Sequence, residues 1–125
     1  MKPFGNVPVW SLLISVFLLT GCQRESTAWG EFANEFIEQY FDFRPESAVY
    51  AGRHEYDGLM SDLSPEGLDQ YISWLKGRRV AAEGFEEASL SEGQRFEQEH
   101  LLAEIEGQLF WLEQAGWPSR NPRLL

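Results

Sequence analysis

Three places in the sequence carry residue types that do chemistry. Cys22 is the only cysteine in 125 residues, and it closes the tetrapeptide Leu19-Thr20-Gly21-Cys22. His54-Glu55-Tyr56-Asp57-Gly58 opens like a zinc-peptidase motif. His100 has Glu97 three residues before it and Glu104 four residues after it. An HExxH motif needs a second histidine at i+4, so that both imidazoles reach one metal from one helix face. Here the fifth position is Gly58, and the surrounding residues read as a loop. His54 and Asp57 are therefore expected to hydrogen-bond backbone groups and pin that loop. His100 with Glu97 and Glu104 offers three donors but no second histidine and no metalloprotein spacing, so it is expected as a polar-face histidine. No catalytic residue, metal ligand or cofactor is assigned to this chain.

Cys22 points to an address. Lys2 is the only charge before Arg24, and Val9 to Leu19 is an apolar run broken only by serines. A spanning helix needs about 20 apolar residues, so this run fits the h-region of a secretory signal peptide. Leu19-Thr20-Gly21-Cys22 resembles the bacterial lipobox, in which small residues let the signal peptidase fit beside its cleavage site. By that resemblance residues 1–21 are removed, and the Cys22 thiol takes a diacylglycerol carrying palmitate-type acyl chains. Several acyl chains together give stable anchoring. Gln23, where aspartate often retains lipoproteins in the inner membrane, favours the outer membrane, with the chain facing the periplasm. Loss of Lys2 takes the formal charge from −10 to −11.

Composition narrows the rest. A single cysteine excludes an intrachain disulfide scaffold and a Cys-based zinc site. The acidic balance argues against nucleic acid as a partner, since binding to phosphates needs a basic patch. At 14% aromatic the chain is not broadly disordered. No serine sits in a nucleophile elbow, no Gly-rich phosphate loop occurs, and no pair of carboxylates is singled out by spacing.

The elements that must carry these residues read as helices. After Ser26, a plausible N-cap, Trp29, Phe32, Ala33, Phe36, Ile37, Tyr40 and Phe41 recur at helical spacing. Glu31, Glu35, Glu38 and Asp42 occupy the opposite face, for which Arg44, Arg53, Arg78 and Arg79 are candidate partners. Pro45 suits the first turn of a short helix ending near Ala51, with Gly52 at its left-handed C′ position. Arg53 to Leu63 reads as an ordered loop with an Asp57-Gly58 turn. Ser64-Pro65-Glu66 starts a helix to about Ala82 with the stripe Leu68, Tyr71, Ile72 and Leu75. Ser91 and Gln94 match a capping box opening a last helix that extends to about Ala115, with Gly116 and Pro118 as its stop. Apolar residues surround that last helix, including Phe96, Phe110 and Trp111, so it is expected to pack on at least two sides. The expected class is all-α, with three to four helices and an ordered loop. The expected organisation is a signal peptide at 1–21, a short tether at 22–26 and a helical segment at 27–125.

Pro45, Gly52, His54, Tyr56, Asp57, Asp62 and Ser64 form a pattern that resembles the N-terminal part of the bacterial family named domain of unknown function 885. Asn121-Pro122 is similar to an Asn-Pro of that family, although Arg123-Leu124-Leu125 follows where the family usually has a nearby tyrosine. The resemblance implies a longer, mostly helical protein that looks like a zinc metallopeptidase, with its metal motif far downstream of this region. Zinc would then belong to a full-length relative and not to these residues. The expected role is a membrane-anchored lipoprotein segment without catalysis of its own, packed against a missing C-terminal catalytic part. The alternative is a self-sufficient small acidic lipoprotein that binds another protein or builds the envelope. The anchoring expectation is checked by labelling with radioactive palmitate and by fractionation. The native chain should incorporate label and sediment with membranes, and Cys22→Ser should do neither.

Overall fold

The computed structural model describes residues 26–117. The lipobox residues Leu19, Thr20, Gly21 and Cys22, the tether before Ser26, and Pro118 and Asn121-Pro122 lie outside the described residues. The described part is all-α, with four α-helices and no strand. Helix α1 spans Ser26–Phe43, α2 Pro45–Tyr50, α3 Pro65–Glu83 and α4 Glu92–Leu109. Short 3₁₀ turns at His54–Tyr56 and Glu87–Ser89 lie in the connections, and α4 runs on into a π-helical turn at Phe110–Gln114. Among the described residues no helix is long and apolar enough to cross a membrane.

Local chemistry sets the boundaries. Pro45 occupies N1 of α2, where a missing N–H costs nothing. Gly52 follows α2 at φ +85°, a left-handed value that glycine adopts freely, and the Arg53 N–H turns back to Ala48 O at 2.9 Å. Ser64 caps α3 by accepting from the Gly67 N–H at 3.1 Å. Ser91 and Gln94 close the expected capping box reciprocally at 3.1 and 3.2 Å. The far end of α4 departs from expectation. The Ala115 N–H bonds to Phe110 O, five residues back, so the last turn before Ala115 is widened. Gly116 then stops the helix at φ +67°.

Helix α3 folds back on α4, and α1 lies across the pair. Phe43 stacks near Tyr71 and Trp74, Phe36 lies 5.0 Å from Trp74, and Trp29 meets Phe85 edge-on at 5.2 Å. These contacts set α1 antiparallel to α3. Trp29 donates to Glu97 at 2.9 Å, and Tyr40 shares a hollow with Gln108, so α1 runs in the same direction as α4. One core cluster holds Phe36, Tyr71, Leu75, Ile105 and Leu109, and a second holds Trp29, Phe32, Ala82 and Leu90. Leu101 packs against both.

The acidic face of α1 is partly neutralised by two of the candidate arginines and is otherwise solvent-facing. Arg53 pairs with Glu38 at 2.7 Å, and Arg78 pairs with Glu35 at 3.3 Å. Arg79 instead faces Glu83 on its own helix at 3.8 Å.

The C-terminal end of α3 is capped from outside. Gly84 has ordinary right-handed geometry, and the Gly84 and Phe85 N–H groups reach Val80, Ala81 and Ala82 O at 3.2–3.3 Å. The buried Gln98 amide on α4 also donates to Ala82 O at 2.8 Å and to Phe85 O at 3.0 Å. Unpaired carbonyls in a buried place are costly, so this side chain locks the α3–α4 hairpin.

Two substitutions test the packing. Leu75 is fully buried, so Leu75→Ala should lower stability by about 2–5 kcal/mol in urea melts. A Cβ on Gly67 would meet the Asp62 backbone oxygen at 2.7 Å. Gly67→Ala should therefore destabilise by about 1–3 kcal/mol despite alanine's better helix propensity.

Candidate binding groove

His54, Tyr56, Asp57, Asp62 and Ser64, singled out by sequence, all lie in the connection between α2 and α3. His54 lies 3.4 Å from Asp57, its side chain 81% exposed, and neither side chain bonds a backbone group among the described residues. The expectation that this pair pins the loop is therefore corrected. Both side chains face mostly into solvent. Arg53 does that work. It grips Glu38 with two nitrogens at 2.7 and 3.0 Å, holds Glu55, and lies over the Phe41 and Tyr56 rings. The Tyr56 hydroxyl donates to Asp42 Oδ1 at 3.1 Å. Asp62 accepts from the Ser64 N–H at 2.9 Å, and the Ser64 side chain together with that backbone bond holds its carboxyl below the ordinary value.

Glu46, not singled out by sequence, ties the loop to α2. Its two oxygens accept from the Ser61 N–H at 2.9 Å and the Ser61 hydroxyl at 2.6 Å. Burial alone would raise this carboxyl, but the Ser61 bonds and nearby Arg44 outweigh it and hold it below the usual range.

On another side, α1 and α4 stand apart and leave an open groove of about 580 Å³. Its floor comes from the α1 stripe, with Trp29, Ala33, Phe36, Ile37 and Tyr40, joined by Leu101. Its α4 rim carries Glu97, His100, Glu104 and Gln108. The sequence-marked trio Glu97, His100 and Glu104 thus does share one surface. Glu97 is engaged by Trp29, and among the described residues no group of three or more His, Cys, Asp or Glu is placed to hold a metal ion.

Tyr40 and Gln108 connect the groove to a second hollow of about 450 Å³, bounded by Arg44, Trp111, Leu112 and Trp117. Here the Tyr71 hydroxyl donates to Gln108, and Tyr40 lies 3.4 Å from the Ser47 hydroxyl. Burial pushes the Tyr71 phenol well above its ordinary value, Tyr40 adding to the effect and Arg44 opposing it. The Arg44 Nε is buried without a hydrogen bond, and its guanidinium makes no ion pair among the described residues.

The expectation that α4 packs on at least two sides needs correction along part of its length. Phe96 is 71% exposed, Trp111 59% and Phe110 about half. Among the described residues α3 and α1 cover the opposite faces of this helix, and no further helix covers these three. The chain matches no protein-family model, no curated protein and no solved structure. The likeness to the domain of unknown function 885 therefore rests on its scattered residues alone.

Glu46 gives a pH test. Its folded pKa lies below the unfolded one, so its contribution is full above the unfolded value, about 4.3, and fades as pH falls through the folded value. At pH 7 Glu46→Gln should lose about 1–2 kcal/mol, as expected for hydrogen bonds to a charged group. Thermal melts followed by circular dichroism should show that gap closing below about pH 4.

Proposed function

We propose that this chain is a lipid-anchored protein of the bacterial cell envelope whose helices form a non-catalytic docking module. The lipobox-like ending at Cys22 supports the anchor, and Gln23 favours the outer membrane. The open, aromatic-floored groove between α1 and α4 carries the docking part, extended by exposed Phe96 and Trp111. Apolar surface that is contiguous and rimmed by polar residues marks an interaction site more often than a bare face. The reading agrees with the arrangement implied by the domain of unknown function 885, in which helices of this kind pack against a separate catalytic part. Any zinc would sit in that other part.

A second reading keeps the anchor but makes the chain a self-sufficient module. Its support is the closure of both core clusters among residues of α1, α3, α4 and the turn between the last two. Both readings place the partner on the same face, and in vivo photo-crosslinking tests that placement. A benzoylphenylalanine at position 37, in the groove, should give a discrete adduct in the membrane fraction. The same probe at position 87, on the turn between α3 and α4, should give none. Equal adducts at both positions, or none at position 37, would count against a docking module.

A further inference from the structure

The groove has a chemical polarity that specifies its occupant, and we infer that it binds a cationic amphipathic helix. This rests on the docking reading above and names the partner's chemistry. The floor between Trp29 and Tyr40 covers eleven helical steps, about 16 Å, which suits roughly three turns of a partner helix. Ile37, 45% exposed on this floor, offers an apolar contact that a partner would bury. Along the rim, Glu97 and Glu104 lie seven residues apart, two turns of α4, and both are exposed. A helix laid in the groove with leucine-like residues inward at i, i+3, i+4 and i+7 would bring lysines or arginines beside them.

Charge separates this occupant from the others. An anionic amphiphile or a second acidic helix would meet Glu97 and Glu104 with like charge, on a chain of formal charge −10. The Arg44 guanidinium, which makes no ion pair among the described residues, marks the far end as unfavourable to cations, so the basic face belongs to the Glu97–Glu104 half. A second copy of this chain would offer carboxylates on the exposed faces of α1 and α4, and the basic residues of α3, Lys76, Arg78 and Arg79, are already paired with Glu113, Glu35 and Glu83 of their own chain.

The test uses the mature chain, residues 22–125 with Cys22→Ser, which retains every described residue. The probe is a fluorescent 18-residue synthetic helix with leucine on one face and lysine on the other, followed by anisotropy. A leucine–glutamate helix of the same pattern is its counterpart. The leucine–lysine helix should bind, and binding should weaken as salt is raised. The leucine–glutamate helix should not bind. Glu97→Gln/Glu104→Gln retains a possible acceptor for Trp29 and should weaken binding roughly three- to tenfold. Ile37→Asn leaves the charge unchanged and should weaken it about fivefold or more. Glu86→Gln/Glu87→Gln removes the same charge elsewhere and should leave binding unchanged. Near-ultraviolet circular dichroism checks that each variant remains folded.

If the remote pair weakens binding as much as the rim pair, the attraction is diffuse charge and the inference fails. If Ile37→Asn has no effect, the groove is not the site. If sedimentation shows a dimer that Ile37→Asn dissociates, a second copy fills the groove and the inference again fails. Such failures would leave the crosslinking result at position 37 intact, so the docking reading is judged separately.

Discussion

The structure depends on burying the aromatic stripe of α1. That helix carries Glu31, Glu35, Glu38 and Asp42 with no basic residue of its own, so it has little reason to be helical alone. Like charges spaced four apart cost a few tenths of a kcal/mol per pair, and an isolated helix of this length is marginal even without them. Phe32 and Phe36 become buried against rings of α3 and the following turn, and Trp29 becomes fully buried. Burial of large side chains is worth about 1.5–3 kcal/mol each, enough to outweigh the repulsion. Arg53 and Arg78 then reach in from other elements to relieve part of it.

The same rings explain the groove. Indole and phenyl groups are large spacers, and they fill the seam between α1 and α3 while α3 and α4 close tightly through Leu75, Ile105 and Leu109. Three helices packed equally closely would leave no trough. Here α1 meets α4 below the trough, where Phe36 joins Ile105 and Leu109 and Leu101 packs against both clusters, and the Trp29–Glu97 bond closes one end. The trough is not a defect of packing, because both clusters beneath it are closed.

Much of the local architecture was legible in the residues. Ser64-Pro65, the Ser91…Gln94 box and Gly52 each encode a boundary through short-range chemistry, and each boundary falls where that chemistry requires. Ser26 is less informative, since α1 is already assigned from that residue. The site was legible only in fragments. Glu97, His100 and Glu104 were noticed as possible ligands, but their shared rim depends on where α1 lies, which helical spacing does not state. Gln98 carried no sequence signal, since a polar residue in a helix is normally read as solvent-facing. Its two carbonyl partners, Ala82 O and Phe85 O, lie at the end of a different helix, which spacing along α4 does not place beside it. Periodicity also overstated the burial of α4, because an apolar residue such as Phe96 reports a capacity for contact, not a partner.

The shared direction of α1 and α4 has a geometric consequence. If Cys22 is held in a bilayer, the chain reaches Ser26 within four peptide steps, at most about 14 Å. The Trp29–Glu97 end of the trough then sits near the headgroups, and the Arg44–Trp117 end projects away from them. On that premise one mouth of the trough stays within a short chain's reach of the lipid surface, and the other can stand off from it by at most about the length of one more helix.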